Sequence, residues 1–164
     1  LDFTYPKYEN GWKFTADSTG IISMNNKKYP YLYWDGPTNV PTDKINWQEG
    51  FVVSKENLIN FFEEKLSAMG LNSKEIADYI TFWCPIMNTN KKNYIHFVFN
   101  EEYNKFAKLT VTPKPDNLFR VYMIWSKADE KINSSLTEQK ILSFKRTGFT
   151  VLEWGGAETK VTIP

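Results

Sequence analysis

Acidic, basic and aromatic side chains recur at alternate positions of short strand-like runs, and this placement is the main chemical signal in the chain. In Tyr31-Leu32-Tyr33-Trp34-Asp35-Gly36, a period of two sets Tyr31, Tyr33 and Asp35 on one side and Leu32 and Trp34 on the other. The run Phe149-Thr150-Val151-Leu152-Glu153-Trp154-Gly155-Gly156 again carries an acid near its end, with glycine following. In Tyr94–Phe99, the residues Tyr94, His96 and Val98 alternate with the apolar Ile95, Phe97 and Phe99. In Leu118–Trp125, Arg120, Tyr122 and Ile124 alternate with Phe119, Val121, Met123 and Trp125.

A face gathering Tyr31, Tyr33, Asp35, His96, Arg120, Tyr122 and Glu153 suits more than one chemistry. As a second buried layer, it would hold Arg120 in a fixed ion pair with Glu153 or Asp35, with tyrosine hydroxyls completing the hydrogen bonds. As a recognition surface, it would stack aromatic rings on the apolar faces of sugars while Asp, Glu and Arg bind hydroxyls. Trp34, Trp154, Asp35 and Glu153 would then be central. A third chemistry is hydrolysis of a glycosidic bond, which needs two carboxylates about 5–9.5 Å apart. Asp35 and Glu153 meet that condition only if their strands pair nearby.

Other reactive residues are few. Cys84 is the single cysteine and His96 the single histidine, so a cysteine-based zinc cluster and an internal disulfide are excluded. Any Ser-His-Asp arrangement would have to use His96. Cys84, in Phe82-Trp83-Cys84-Pro85, reads as an inert thiol, because a helix C-terminus disfavours a thiolate. Gly155-Gly156 reads as a turn, lacking the helix and lysine of a phosphate loop. No catalytic residue, metal or cofactor is expected from these patterns.

A net charge of +1 lacks the excess of basic residues with which nucleic-acid binders neutralise phosphates. Of 20 basic residues only Arg120 and Arg146 are arginines, the type suited to fixed planar ion pairs. No apolar run reaches the roughly 18 residues of a membrane span. With 164 residues, the chain is long enough for one domain with a real core, and 16% aromatics imply a core of few, large side chains. The start at Leu1-Asp2-Phe3 reads as a mature or trimmed piece of a longer product.

The elements that must position these residues follow from periodicity and turn residues. Strands are expected at Asp2–Tyr5, Trp12–Ala16, Ile21–Met24 and Tyr29–Trp34, separated by Pro6, Asn10-Gly11, Gly20 and Asn25-Asn26. Gly36 to Trp47 reads as a loop. A helix capped by Ser54 carries Leu58, Phe62, Leu66 and Met69 on one stripe and ends at Gly70. A second starts at a capping box of Asn72 and Glu75, buries Ile76, Tyr79, Ile80 and Trp83, and stops at Pro85. Strands return at Tyr94–Phe99, Lys108–Thr112, Leu118–Ser126 and Phe149–Trp154. Ser134–Phe144 fits a helix or an extended edge, and Lys160–Ile163 an edge strand or linker. The expected fold class is α+β: a mostly antiparallel sheet with a central pair of helices packed on one face.

Several segments together resemble an uncharacterised family of bacterial, often clostridial-type, secreted or cell-envelope proteins. They are Leu1–Pro6, Asn10–Trp12, Tyr31–Gly36, Gly50–Val53, Gly70-Leu71, Trp83–Pro85, Pro113–Asp116, Arg120–Met123 and Gly148–Gly156. Two positions depart from that family: Asp35, where it more often carries Glu, and Cys84, where it usually carries an apolar residue. The resemblance implies a location outside the cytoplasm and transfers no activity. The resulting expectation is a non-enzymatic extracellular or cell-surface domain that binds a glycan, wall polymer or protein partner. The alternatives are a structural spacer, with a lysine–asparagine isopeptide crosslink promoted by Glu153 as its bolder form, and a hydrolase using Asp35 and Glu153.

Overall fold

Short strands joined by tight turns build the first part of the protein, as the spacing of its glycines, asparagines and prolines implies. The computed structural model describes residues 1–128 and 136–160, and the chain divides into two compact units, Leu1–Asn39 and Val40–Pro164. In the first unit, β1 (Phe3–Tyr5) is the first of five strands, followed by β2 (Thr15–Ala16), β3 (Ile22–Met24), β4 (Lys27–Tyr29) and β5 (Tyr33–Asp35). Strands β2, β3 and β4 form an antiparallel meander, and β1 pairs antiparallel with β5. Asn25 and Asn26 both take positive φ at the β3–β4 turn, the geometry that favours asparagine in tight hairpins. The expected single strand Tyr29–Trp34 is two strands in different sheets. Pro30 lies between them and has no N–H to donate to a ladder. Pro6 and Tyr29 are the buried residues of this unit.

The second unit opens with one 3-10 turn over Thr42–Lys44 and then β6 (Glu49–Ser54), a strand the sequence reading passed over. A 3-10 turn over Lys55–Asn57 follows, so Ser54 heads that turn and not an α-helix. Helix α1 (Leu58–Met69) buries Leu58, Phe62, Leu66 and Met69, the expected stripe. Gly70 ends it in the left-handed region, its N–H bonded to the carbonyls of Leu66 and Ser67, while the Leu71 N–H returns to Leu66. Helix α2 (Ser73–Met87) starts at the expected capping box: Asn72 accepts the Glu75 N–H, and Glu75 accepts the Asn72 N–H.

Pro85 does not stop α2, which continues to Met87. Proline removes one bond to the Thr81 carbonyl, but Thr81 and Pro85 are both exposed, so water can serve that group. Met87 is fully buried, and its carbonyl accepts the Asn93 amide, which fastens the last turn to the sheet.

The main sheet continues with β7 (Lys92–Phe99), β8 (Asn117–Lys127), β9 (Thr137–Glu138) and β10 (Thr150–Glu158), in the order β10-β8-β7-β6-β9. Its centre is antiparallel, while both outer joins, β10 to β8 and β6 to β9, are parallel. The fold class is α+β. A short helix, α3 (Asn100–Asn104), follows β7 and was not expected. Lys108–Thr112, read as a strand, has no regular structure. Of Ser134–Phe144, only Thr137–Glu138 is a strand, and Ser134 and Ser135 lie outside the described residues. Lys160 is irregular, and residues 161–163 also lie outside them.

Gly155-Gly156, read as a turn, is continuous strand, because β10 runs in register with β8 as far as Glu158 opposite Trp125. The missing side chains serve close packing instead. A Cβ on Gly155 would stand 3.1 Å from the Tyr103 hydroxyl. One on Gly156 would stand 2.7 Å from the Met123 carbonyl and 3.0 Å from the Trp83 ring.

The sheet is covered on both sides. On one side Ile95, Phe97, Phe119, Val121, Met123 and Trp125 pack against the stripes of α1 and α2. On the other, Tyr122 and Ile124 pack with Tyr103 of α3, ringed by Val40, Ile45, Trp47, Val98, Phe106, Ala107 and Ala157. Among the described residues no helix is long and apolar enough to cross a membrane.

Candidate functional site

The period-two reading of β7, β8 and β10 holds in space, and it places Arg120 and Glu153 side by side. These two residues are direct partners in the β8–β10 register. The Arg120 Nε donates to Glu153 Oε2, and Nη1 donates to Asn104 Oδ1 at 3.0 Å. The guanidinium carbon lies 4.1 Å from the centre of the Tyr103 ring, a cation–π stack. Asn100 Oδ1 accepts the Arg120 backbone N–H at 2.9 Å. Arg120 is 1% exposed and its polar partners are half-buried, so its own charge is held out of water. Burial, reinforced by the nearby Glu153 charge, raises the Tyr103 hydroxyl well above its ordinary range. It stays protonated and cannot act as a base. Sequence reasoning missed Tyr103, Asn100 and Asn104, since a five-residue helix has too little periodicity to show.

His96 belongs to the same side of the sheet but to a separate cluster. Its Nδ1 lies 3.0 Å from the Glu49 carbonyl, which also accepts the Tyr94 hydroxyl. Its Nε2 lies 3.3 Å from Gln139 Nε2. Gln139 Oε1 accepts the Phe97 N–H at 2.8 Å and its Nε2 donates to the Phe97 carbonyl at 2.7 Å. The amide nitrogen is therefore a donor toward His96, which fixes a neutral ring with the proton on Nδ1, given to Glu49. Burial lowers the His96 pKa, opposed by the Glu49 carbonyl bond. This is a satisfied structural histidine. The residues that hold it, Glu49 and Gln139, carry no spacing signal toward it.

Trp154 lies on the opposite face from Glu153, with its ring 5.0 Å from Tyr79 and 6.1 Å from Phe82. Tyr122 packs at 4.9 Å against Tyr103 and 5.2 Å against Phe106, and is 4% exposed. The second face of the main sheet is thus an inner layer, in which Arg120 and Glu153 are bonded to each other while the buried Ser126 hydroxyl has no hydrogen-bond partner among the described residues.

Tyr31, Tyr33, Trp34 and Asp35 belong to the first unit. Asp35 is paired with Phe3 and Tyr33 with Tyr5, so Phe3, Tyr5, Tyr33 and Asp35 share one face of the β1–β5 ribbon, with Thr4 and Trp34 on the other. The Phe3 and Tyr33 rings meet edge to face at 5.9 Å, and Tyr5 meets Tyr29 in the same manner at 5.5 Å. Phe3 is 59% exposed, Tyr5 52% and Tyr31 49%. Asp35 Oδ1 accepts the Gly36 N–H at 2.8 Å. Partial burial, then the Asp35 charge, raises the Tyr33 hydroxyl.

The structure therefore separates the expected face into two groups on different sheets. Asp35 and Glu153 are not on paired strands: β5 pairs with β1, and β10 with β8. Among the described residues no group of three or more His, Cys, Asp or Glu is placed to hold a metal ion. Burial pushes the Cys84 thiol up to about 11, so at neutral pH it is not a nucleophile. No known protein family, curated protein or solved structure matches the chain.

Proposed function

We propose that the protein is a non-enzymatic extracellular or cell-surface module that binds a glycan, wall polymer or protein partner through the aromatic ribbon of its first unit. The observation that carries this reading is the exposure of Phe3, paired opposite Asp35, together with that of Tyr5 and Tyr31, in a unit that buries little. Exposed rings with an adjacent acid offer stacking surface and a hydroxyl acceptor together. The second unit, in this reading, is the scaffold. The test is co-sedimentation of the protein with cell-wall material and insoluble polysaccharides, using folded Phe3→Ala, Tyr31→Ala and Trp154→Ala variants. Retention should fall at least about tenfold for the first two, the equivalent of roughly 1.4 kcal/mol, and persist for Trp154→Ala. Retention unaffected by either ribbon variant removes the ribbon as the contact.

A second reading, a structural spacer module, draws support from the bonded inner layer around Arg120 and Glu153. In its crosslinked form the intact mass would fall by one ammonia, so an unmodified mass eliminates that form. The hydrolase reading has no support from strand pairing.

A further inference from the structure

The main sheet treats its two edges differently. At one end the edge strand β9 is two residues long, and beside it the Gln139 amide bonds both backbone groups of Phe97, as a neighbouring peptide would. That edge is covered at Glu49, Gly50 and Phe97. At the other end stands β10, nine residues long, with no proline, lysine or register break to discourage a further strand.

Two hydrogen bonds establish which peptide groups of β10 face outward. The Phe149 carbonyl accepts the Asn117 N–H, and the Thr159 N–H donates to the Trp125 carbonyl. Odd-numbered residues of the strand therefore address β8. In an extended strand the N–H and C=O of one residue point to the same side. Hence the peptide groups of Thr150, Leu152, Trp154, Gly156 and Glu158 point away from the sheet, and they have no backbone partner among the described residues. The helical layer is open at the same border. The Trp154 ring meets Phe82, which is 42% exposed, and Ile86 further along α2 is 45% exposed.

We infer that β10 and the adjoining Phe82–Ile86 face of α2 form a homodimer interface, in which a second copy adds its own β10 antiparallel across a two-fold axis. The occupant must bring an unpaired strand edge about 30 Å long, nine residues at roughly 3.3 Å each, with an apolar ridge on its helical side. The chain itself carries both, on the same border. A two-fold axis through Trp154 matches every outward residue: Thr150 with Glu158, Leu152 with Gly156, and Trp154 with its own copy. In that register bulky Leu152 meets the gap at Gly156, and Glu153 falls opposite Gly155, so no like charges face each other. Sheet and helix layers about 10 Å apart give a border strip roughly 20 Å deep. That is about 600 Å² per copy and about 1,200 Å² in all, at the lower end for a specific interface, as for a concentration-dependent dimer.

Sedimentation velocity of the full chain between about 1 and about 300 μM tests this, a range that brackets micromolar association. The variants are Ile86→Lys and Glu158→Pro, both at exposed positions outside the cores, with near-UV circular dichroism as the check on folding. Dimer is expected at the upper concentrations, and each variant should raise the dissociation constant at least about tenfold. Amide exchange at Leu152, Trp154 and Gly156 should slow as concentration rises. A monomer throughout overturns the proposal. So does a dimer unaffected by both folded variants, or one whose formation leaves those amides unprotected.

Discussion

Arg120 is the largest fully buried side chain among the described residues, and its cost in desolvation is offset by the ring, carboxylate and amide around it. Removing one partner leaves the other charged and dry. Arg120→Ala and Glu153→Ala should each lose about 3–5 kcal/mol in urea unfolding, whereas Lys91→Ala, at an exposed loop position, should change little. Equal midpoints for all three would refute the role of the pair. His96 supplies a pH dependence. Its folded-state pKa lies below the ordinary 6.5 because of burial, so the unfolded chain binds the extra proton first. The stability from its neutral form is complete above about pH 6.5 and is lost as pH falls through the depressed folded value. Gln139, Tyr94 and the Glu49 carbonyl face the ring, and a protonated Nε2 would set donor against donor at Gln139. Unfolding free energies at about pH 7.5 and about pH 5 should diverge more for the wild type than for His96→Gln. Identical slopes would remove the histidine from the account.

At the scale of elements, the α1–α2 corner depends on one residue at a left-handed position. Gly70 has φ +104°, and a Cβ there would stand 2.7 Å from the Phe144 carbonyl, whose own N–H bonds to Met69. Gly70→Ala should therefore destabilise by more than the roughly 1 kcal/mol of an unhindered left-handed site. Asn72→Ala, which removes only the cap, should cost about 1 kcal/mol. Denaturant midpoints of the two variants decide the order, and the reverse order would mean that the corner relaxes freely.

For the whole molecule, the two units differ in what they bury. The first places Pro6 and Tyr29 out of water and leaves Phe3, Tyr5, Tyr8, Phe14 and Tyr31 exposed, while the second holds a core between α1, α2 and one sheet face, and another layer beneath α3. Fewer than about 40 residues seldom fold alone without a staple, so stability should reside in the second unit. A chain beginning at Val40 should keep the near-UV signal and one cooperative urea transition. A broad, non-cooperative transition in that fragment would show that the second unit needs residues 1–39.

The sequence alone determined what local physics controls. Alternation assigned Arg120, Tyr122 and Glu153 to one side of their strands and Phe119, Val121 and Trp154 to the other, because a strand has no choice of period. The same held for the α1 stripe, the Asn72–Glu75 box and the Gly70 stop. Tertiary structure decided the rest. Whether a polar face meets ligand or protein depends on what covers it, and the cover is α3, too short to leave a periodic trace. Pro85 and Gly155-Gly156 read as breaks, but buried Met87 and the long β8–β10 register outweigh those local preferences. Strand partners lie far apart in the chain, so only the fold could put Glu153 beside Arg120 and Asp35 beside Phe3.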